Sequence, residues 1–212
     1  MVDLAKRRLP NAYKYSPMDD IQIIAPSRKG TVGTVELNKV LQEKLNPPAK
    51  DKAEHKGFLY TYRVGDKVMQ IRNNYDIVWK KDKEQGTGIF NGDIGRIIAI
   101  SPAAQTVQIN FDGRLAVYTF ELLSQVELAY AITVHKSQGC EFEAVIMPVM
   151  GVFEKLCYRN LLYTAVTRAK KLLILVGSEE YINKMVDNNR RTGRYTCLKH
   201  MLSHRKEEIW QT

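Results

Sequence analysis

Cysteine is scarce in this sequence, which has three cysteines among 212 residues: Cys140, Cys157 and Cys197. Their number is odd, and no two of them have the Cys-x-x-Cys spacing that is typical of zinc ligands or redox pairs. The sequence therefore implies neither a disulfide framework nor a zinc site. A reduced, cytoplasmic setting is the expectation that follows.

Long apolar runs are absent as well. No segment approaches the ~20 consecutive apolar residues that a helix needs to cross a bilayer. Residues 1–17, MVDLAKRRLPNAYKYSP, have no apolar core of the kind that a secretory signal requires. We therefore expect no membrane partner.

Several catalytic signatures are also missing. A Walker A loop has four residues between its glycines, followed by Lys-Ser or Lys-Thr. Residues 26–33, PSRKGTVG, contain two glycines and two basic residues but do not fit that pattern. The sequence contains no His-Glu-x-x-His motif, no nucleophile elbow and no acidic pair with obvious metal-binding spacing. It therefore carries no phosphate cradle of its own.

Positive charge, in contrast, is plentiful. Lys and Arg number 32 against 23 Asp and Glu, which gives a net charge of +9. This excess favours a polyanionic partner, with nucleic acid first, although a solvated basic surface has the same composition. Residues 190–206 hold six Lys or Arg, two His and no acid. They fit a basic helix on a phosphate backbone or a solvated terminus.

The first third of the chain predicts a buried strand and a helix. Residues 21–25 are an apolar run that ends at Pro26. Residues 35–46 predict a helix with Thr34 as its N-cap, stopped by Asn46-Pro47-Pro48. Its apolar residues lie mostly on one helical face: Val35, Leu37, Val40, Leu41 and Leu45.

The middle third predicts short strands joined by turns. Asp112-Gly113 stands between the alternating runs VQINF and LAVYTF, which is a strong hairpin signal. Because these strands leave no room for crossover helices, residues 58–122 predict a small antiparallel barrel or sandwich.

The last third returns to nearly continuous apolar runs, which are typical of buried parallel strands. These runs are residues 126–132, 143–149 and 171–178, and residues 159–170 predict a helix before the last of them. Alternating strands and helices indicate an α/β architecture. The simplest organisation is one discontinuous α/β domain, 1–57 plus 123–212, that is interrupted by a β-rich domain, 58–122.

Three polar loops adjoin these predicted parallel strands: residues 27–33, 133–143 and 163–171. Open α/β sheets bind ligands beyond the carboxyl ends of their strands, so we expect the three loops to converge on one crevice. The second loop offers donors suited to phosphate, a glycine that permits close approach and an acceptor for a ribose. The alternative is a solvent-exposed loop whose polar side chains bind no ligand.

Arg168 has two interpretations. It is either a fixed cation for a phosphoryl group or a surface residue in a last helical turn.

These segments resemble motifs of superfamily-one helicases. Residues 129–149, AYAITVHKSQGCEFEAVIMPV, resemble motif V, and residues 159–178, RNLLYTAVTRAKKLLILVGS, resemble motif VI. Residues 23–47 are similar to the motif IV region of the RecD-like branch, the exodeoxyribonuclease V alpha-chain family. The resemblance covers most of residues 21–178. It implies a RecA-like (P-loop NTPase-type) parallel sheet with helices on both faces, interrupted by a small SH3-like antiparallel β-barrel insertion.

The resemblance also implies roles for individual residues. Arg168 would be the arginine finger. The residues facing the nucleotide would be Gln138, Gly139, Glu141 and, on weaker grounds, Arg28. The residues at the single-stranded DNA would be Thr133, His135, Lys136, Tyr163 and Thr164. Tyr75 and Trp79 of the insert either stack on DNA or pack in its core. No metal ligand is expected.

The family further implies cofactors and partners. ATP and Mg²⁺ would act in the full-length enzyme, with neither expected on this chain alone. Expected partners are single-stranded DNA, a first RecA-like domain of the same polypeptide and, if the family assembly applies, other exodeoxyribonuclease V subunits. Because Walker A and the Mg²⁺-binding carboxylates belong to that first domain, we expect Met1 to begin a truncated chain without ATPase or unwinding activity. The family also implies 5′→3′ movement.

Two other interpretations stay open. The β-rich insert could serve as a nucleic-acid or protein-binding module, since an SH3-like fold binds peptides through aromatic grooves. The chain could also be part of a conjugative relaxase-helicase, because such proteins share these motifs.

Overall fold

The structure is a computed structural model that describes residues 1–151, 153–189, 197 and 201–203. The basic segment 190–206 therefore lies mostly outside the described residues. The strands, in chain order, are β1 (Ile21–Ala25), β2 (Glu54–Lys56), β3 (Thr61–Arg63), β4 (Lys67–Gln70), β5 (Asn74–Lys81), β6 (Glu84–Ile89), β7 (Ile94–Ser101), β8 (Thr106–Phe111), β9 (Arg114–Thr119), β10 (Val126–Leu128), β11 (Ala131–Thr133), β12 (Phe142–Val149) and β13 (Ala169–Gly177). The α-helices are α1 (Leu9–Tyr13), α2 (Thr34–Leu45), α3 (Arg159–Val166) and α4 (Glu179–Asp187), and shorter turns of other helix types cover Leu4–Arg8, Glu121–Gln125 and Glu154–Leu156.

A parallel sheet with the strand order β11-β1-β12-β13 forms one half of the molecule. Alternate residues of its strands enter two different cores. Ile23 and Ile146 share one core with Leu41 of α2, whereas Val145 shares the other with Leu161 of α3. Since strands that are buried on both faces need apolar side chains on both, the runs are continuous. The prediction of a parallel sheet with helices on both faces is thereby confirmed.

An antiparallel sheet with the order β10-β4-β7-β8-β9-β5-β6 forms the other half. The predicted hairpin at Asp112-Gly113 is confirmed, because Phe111 pairs with Arg114 across a two-residue turn. Asp112 (φ 51°) and Gly113 (φ 84°) both have the positive φ that a type I′ turn requires. In the described chain this sheet stays open, with β10 and β6 at its edges, so no closed barrel is found.

The apolar run 126–132, predicted as one parallel strand, is divided between the two sheets. Its first part, β10, runs antiparallel to β4, and its second part, β11, runs parallel to β1. The Asn38 side chain donates to the carbonyls of Leu128 and Ala131, both at 2.9 Å, and accepts from the Ala131 amide at 2.8 Å. The prediction was wrong because an apolar run does not reveal where the chain leaves one sheet for the other.

Helix α2 follows its prediction except at its start and on one face. Gly33, not Thr34, occupies the N-cap position, and Thr34 is the first helical residue. A Cβ atom at Gly33 would lie 2.6 Å from the Arg28 carbonyl oxygen, so the tight loop before the helix excludes a larger residue. Val40, predicted on the apolar face, is 47% exposed, whereas the polar residue Asn38 is buried. None of the described helices is long and apolar enough to cross a membrane.

A buried carboxylate ties α2 to the antiparallel sheet. Asp66, just before β4, accepts from Gln42 Nε2 at 2.6 Å, Asn46 Nδ2 at 2.7 Å and the Tyr130 hydroxyl at 2.8 Å. Burial raises the pKa of Asp66, and these hydrogen bonds oppose the rise. Because its donors come from a helix on one sheet and from the junction between the sheets, Asp66 helps hold the two sheets together.

Candidate functional site

The polar loop after β11, residues 134–141, begins with a tight turn. The Ser137 amide donates to the Thr133 carbonyl at 3.0 Å, and its hydroxyl donates to the Val134 carbonyl at 2.8 Å. Gly139 has φ 85°, which a residue with a side chain rarely adopts. This turn buries Ser137 and leaves His135 and Gln138 exposed to solvent.

Two cations share one carboxylate at the carboxyl ends of β1 and β11. Arg28 Nη2 lies 2.6 Å from Glu127 Oε1, and Lys136 Nζ lies 3.1 Å from Glu127 Oε2. The Lys136 amide also donates to Thr133 Oγ1 at 3.3 Å. We call Arg28, Glu127 and Lys136 the Glu127 cluster. With two cations and one anion, it presents net positive charge beside exposed His135.

Arg168 stands in a turn between the end of α3 and the start of β13. Its Nε donates to the Thr164 carbonyl at 3.2 Å, its Nη1 to the Cys140 carbonyl at 3.1 Å and its Nη2 to Thr167 Oγ1 at 3.1 Å. A guanidinium has five N–H donors, so two remain for another group. The Arg168 charge is thus held in place and still has donors to offer.

The neighbours of Arg168 complete this end of the site. Burial raises the pKa of the Cys140 thiol and Arg168 opposes that rise, so the thiol stays protonated near neutral pH. Glu141 is exposed, and its carboxylate lies 3.8 Å from Lys170 Nζ. Glu141 also borders a crevice of 610 Å³ whose lining includes the buried residue Lys67.

The expectation that all three loops meet in one crevice at the carboxyl ends of the strands is wrong. The Glu127 cluster lies at that edge, but Arg168 precedes β13, and its carbonyl accepts from the amide of Phe142, the first residue of β12. Thr133 pairs with Ala25 of β1, and continuing the β1–β12 register by two residues places Pro148 opposite Ala25 as well. Pro148 is six residues beyond Phe142 along β12. That offset is about 20 Å along the strands. A segment that precedes a parallel strand lies at the opposite edge from one that follows it.

The predicted site residues therefore fall into two groups. Thr133, His135 and Lys136 lie at the carboxyl edge, and Arg28 joins them there through Glu127. Arg168 lies at the amino edge, with Thr164 bonded to it and Tyr163 exposed on the last turns of α3. The remaining predicted residues, Gln138, Gly139 and Glu141, lie on the stretch of loop that runs between the two edges. One loop thus connects both groups.

Sequence reasoning missed Glu127 and Lys67. Glu127 is an acid within the apolar run 126–132. The prediction of a single buried strand there did not account for this charged residue. Lys67 is 6% exposed, and the described chain provides no ion pair for it. Nothing in the local sequence distinguishes it from a surface lysine.

Tyr75 and Trp79, for which the sequence allowed either stacking on DNA or packing in the core, differ in environment. Trp79 is partly buried and packs on the main core, with the Arg114 guanidinium 5.9 Å from its ring centroid. Tyr75 is 66% exposed and makes an edge contact with Phe90. Packing accounts for Trp79, whereas the Tyr75 ring stays accessible.

Comparison with known proteins shows which protein family this chain is similar to. Residues 37–111 match the family model described as the ATP-dependent RecD-like DNA helicase SH3 domain, and residues 128–176 match the UvrD-like helicase C-terminal domain. The chain is 34% identical over 187 residues to an uncharacterized protein of Methanocaldococcus jannaschii, covering 80% of this chain and 16% of that protein. It is 31% identical over 184 residues to the ATP-dependent RecD2 DNA helicase of Deinococcus radiodurans, covering 87% of this chain and 24% of that helicase.

A solved structure supports the fold. The crystal structure of Pif1 helicase from Bacteroides in complex with ADP-AlF3 and ssDNA aligns with a TM-score of 0.53 at 18% identity, covering 97% of this chain and 49% of that one. At this identity the likeness shows the fold alone. The chain spans about a quarter or less of the two relatives named above.

Proposed function

This chain belongs to the RecD-like helicase family, and from that premise we propose that it is the second motor domain of an ATP-dependent DNA helicase. Its partner would be a first RecA-like domain of the same polypeptide, and together they would move single-stranded DNA. Residues 1–57 and 123–212 would form the motor domain, and 58–122 its SH3-like insertion. The 5′→3′ direction and an association with other exodeoxyribonuclease V subunits are part of the same proposal.

The observation that carries the proposal is the path of the loop 134–141. One end of this loop contributes Lys136 to the Glu127 cluster, and the other end binds Arg168 through the Cys140 carbonyl. A motor needs its nucleotide site and its DNA track to respond to each other. A short loop with a cation group at each end is a direct physical connection between two such sites.

At the amino edge, the residues fit one wall of a nucleotide site. Arg168 keeps two N–H donors for phosphate oxygens, and Glu141 is an exposed acceptor suited to a ribose hydroxyl. Gln138 and Gly139 would border the nucleotide, with Gly139 allowing close approach of the backbone. When bound, ATP with Mg²⁺ supplies the phosphoryl group whose transfer releases free energy. Because the sequence has no Walker A loop, the phosphate cradle would belong to the first domain.

At the carboxyl edge, the residues fit a DNA backbone. Lys136, the Thr133 hydroxyl and the exposed His135 imidazole would contact phosphates. Arg28, first expected at the nucleotide, is better assigned here, because it shares Glu127 with Lys136. Tyr163 and Thr164, first expected at the DNA, adjoin Arg168 and would instead lie at the interface with the first domain.

The test measures binding of fluorescent single-stranded DNA to this chain over a range of salt concentrations. Lys136→Ala should weaken binding and reduce the slope of log affinity against log salt by about 0.7, the value for one lost phosphate contact on a single strand. Arg168→Ala is the matched control, since it removes a cation from the other edge and should leave DNA affinity unchanged. Equal effects of the two variants, or no DNA binding at all, would contradict the proposal.

A further inference from the structure

A groove of 810 Å³ opens beside the Glu127 cluster. One wall is the hairpin of β2 and β3, and the other is the segment 120–127 that leads into β10. The groove is mostly apolar and aromatic, and the side chains that matter here are those of His55, Phe58, Tyr60, Tyr62 and Phe120. Arg28 and Glu127 border the same groove, so it is continuous with the carboxyl edge of the parallel sheet.

The walls of the groove are held together firmly. The His55 ring stacks on Phe120 with ring centroids 3.7 Å apart, and the Tyr62 hydroxyl donates to the Val126 carbonyl at 2.6 Å. Burial raises the pKa of Tyr60 to about 12, so this hydroxyl stays neutral and adds no negative charge to the groove at physiological pH. The groove is therefore preformed and needs little ordering to receive a ligand.

Phe58 stands at the tip of the hairpin. The turn 57–60 is closed by the Gly57 amide, which donates to the Tyr60 carbonyl at 2.9 Å. The Phe58 side chain is fully exposed, unlike Tyr60 and Tyr62 of the same hairpin, which are buried. Exposing a whole phenyl ring to water is unfavourable, so this ring is available for a partner with an apolar face.

Charge beside the groove indicates the kind of partner. Lys56 and Arg28 line the groove, and Lys136 adjoins it through Glu127, the carboxylate that it shares with Arg28. Glu127 is already shared by two cations, which leaves Glu121 as the other acid in the lining. A ligand with an aromatic face on one side and negative charge on the other matches this arrangement.

We infer that the groove receives bases of a single strand of nucleic acid, with one base stacked on Phe58 while its neighbouring phosphates contact Arg28 and Lys136. This inference rests on the proposed function and extends it, since it adds a base-stacking subsite to the backbone contacts. Stacking on an aromatic ring tolerates any base, because every base has a π-face. The subsite would therefore hold the strand without reading its sequence.

The experiment compares two fluorescent oligonucleotides of equal length and charge, one of about 15 thymidines and one abasic throughout, a length that spans a typical single-strand site. The parent chain should bind the thymidine strand more tightly than the abasic strand. Phe58→Ala should weaken thymidine binding about tenfold, within the range for one lost base–aromatic stack, and leave abasic binding unchanged. Tyr13→Ala is the matched control, because Tyr13 is also an exposed aromatic residue but lies at the end of α1, outside the groove.

The outcomes separate this inference from the proposed function. If Phe58→Ala binds both strands like the parent, or loses affinity for both equally, the stacking subsite is wrong. The same conclusion follows if a proline-rich peptide occupies the groove and thymidine strands fail to displace it. Lys136→Ala should weaken both oligonucleotides, so a loss there without an effect at Phe58 rejects only the groove. Failure of the parent to bind either strand rejects both proposals.

Discussion

At the residue scale, Lys67 is an ammonium group placed inside the protein with little to offset its charge. Its Nζ lies 3.4 Å from the Ile21 carbonyl oxygen and 5.7 Å from the centroid of the Phe142 ring. Burial lowers the pKa of Lys67 to about 8 from its ordinary value of 10.5, and the nearby Asp19 only partly opposes this. Burial therefore makes the charged form of Lys67 less favourable in the native state than in the unfolded chain.

We predict that Lys67→Met stabilises the protein at neutral pH. Above pH 10.5 the amine is neutral in both states and costs nothing. As pH falls from 10.5 to about 8, only the unfolded state takes up the proton, and below 8 the folded state bears the full penalty. The variant should gain about 3 kcal/mol at pH 7, and the gain should shrink towards pH 10.5, as measured by denaturant unfolding at several pH values.

Lys80→Met is the control for this prediction, because Lys80 is an exposed lysine of β5. It should change the free energy of unfolding by less than about 0.5 kcal/mol at any of these pH values. A Lys67→Met gain that is constant from pH 7 to pH 10.5 would show that packing, rather than charge, is responsible.

At the element scale, the junction between β10 and β11 passes the chain from one sheet to the other. Peptide groups in such a buried crossing have no ladder partner, so side chains must supply the hydrogen bonds. Asn38 satisfies three backbone groups there, and Gln22 Nε2 adds bonds to the carbonyls of Ala129 at 3.0 Å and Tyr130 at 3.2 Å. Two buried amides thus specify where the apolar run changes sheets.

We predict that Asn38→Leu destabilises the protein although leucine is apolar and similar in size. The change leaves buried amide and carbonyl groups at Leu128 and Ala131 without the partners that Asn38 provides. The free energy of unfolding should fall by about 2–4 kcal/mol, as measured by denaturant titration.

Lys39→Leu, one residue along the same helix, is the comparison. Lys39 is exposed, and its ion pair with Glu36 is a surface pair of little net value. A similar loss of stability in both variants would indicate a general effect on α2 and would remove the special role of Asn38.

At the scale of the whole molecule, the two edges of the parallel sheet carry different chemistry. The carboxyl edge holds the Glu127 cluster and continues into the aromatic groove. The amino edge holds Arg168 and Glu141. The loop 134–141 spans both, so a shift of Arg168 would displace the Cys140 carbonyl and then the Lys136 turn. In the proposed motor, this loop would be the route by which nucleotide binding changes the contacts with DNA.

We predict that this chain alone does not hydrolyse ATP and that hydrolysis requires the same chain joined to a first RecA-like domain. In that longer polypeptide, Arg168→Ala should lower kcat by about 10³ or more, the effect of losing an arginine finger, while single-stranded DNA still binds. The measurement is steady-state ATPase activity with saturating DNA. Lys171→Ala, which removes a nearby exposed cation, should retain activity, and a loss of only a few-fold in Arg168→Ala would refute the arginine-finger role.

Local patterns in the sequence were enough to predict much of this protein. The apolar runs at 21–25 and 143–149, the Asp112-Gly113 hairpin and the helix predicted at 35–46 depend on neighbouring residues alone, because side-chain period and turn geometry are short-range properties. The helicase motifs are likewise contiguous stretches, and the family assignment that they suggested is confirmed.

Only the tertiary structure decided which of these pieces meet. Whether a loop lies at the carboxyl or the amino edge depends on strand direction and order, so Arg168 could not be separated from the Lys136 turn by spacing. The pairing of Arg28 with Glu127, the burial of Lys67 and the groove between the hairpin 54–63 and the segment 120–127 each join residues distant along the chain. Such contacts arise from how elements pack, and packing is a property of the folded chain as a whole.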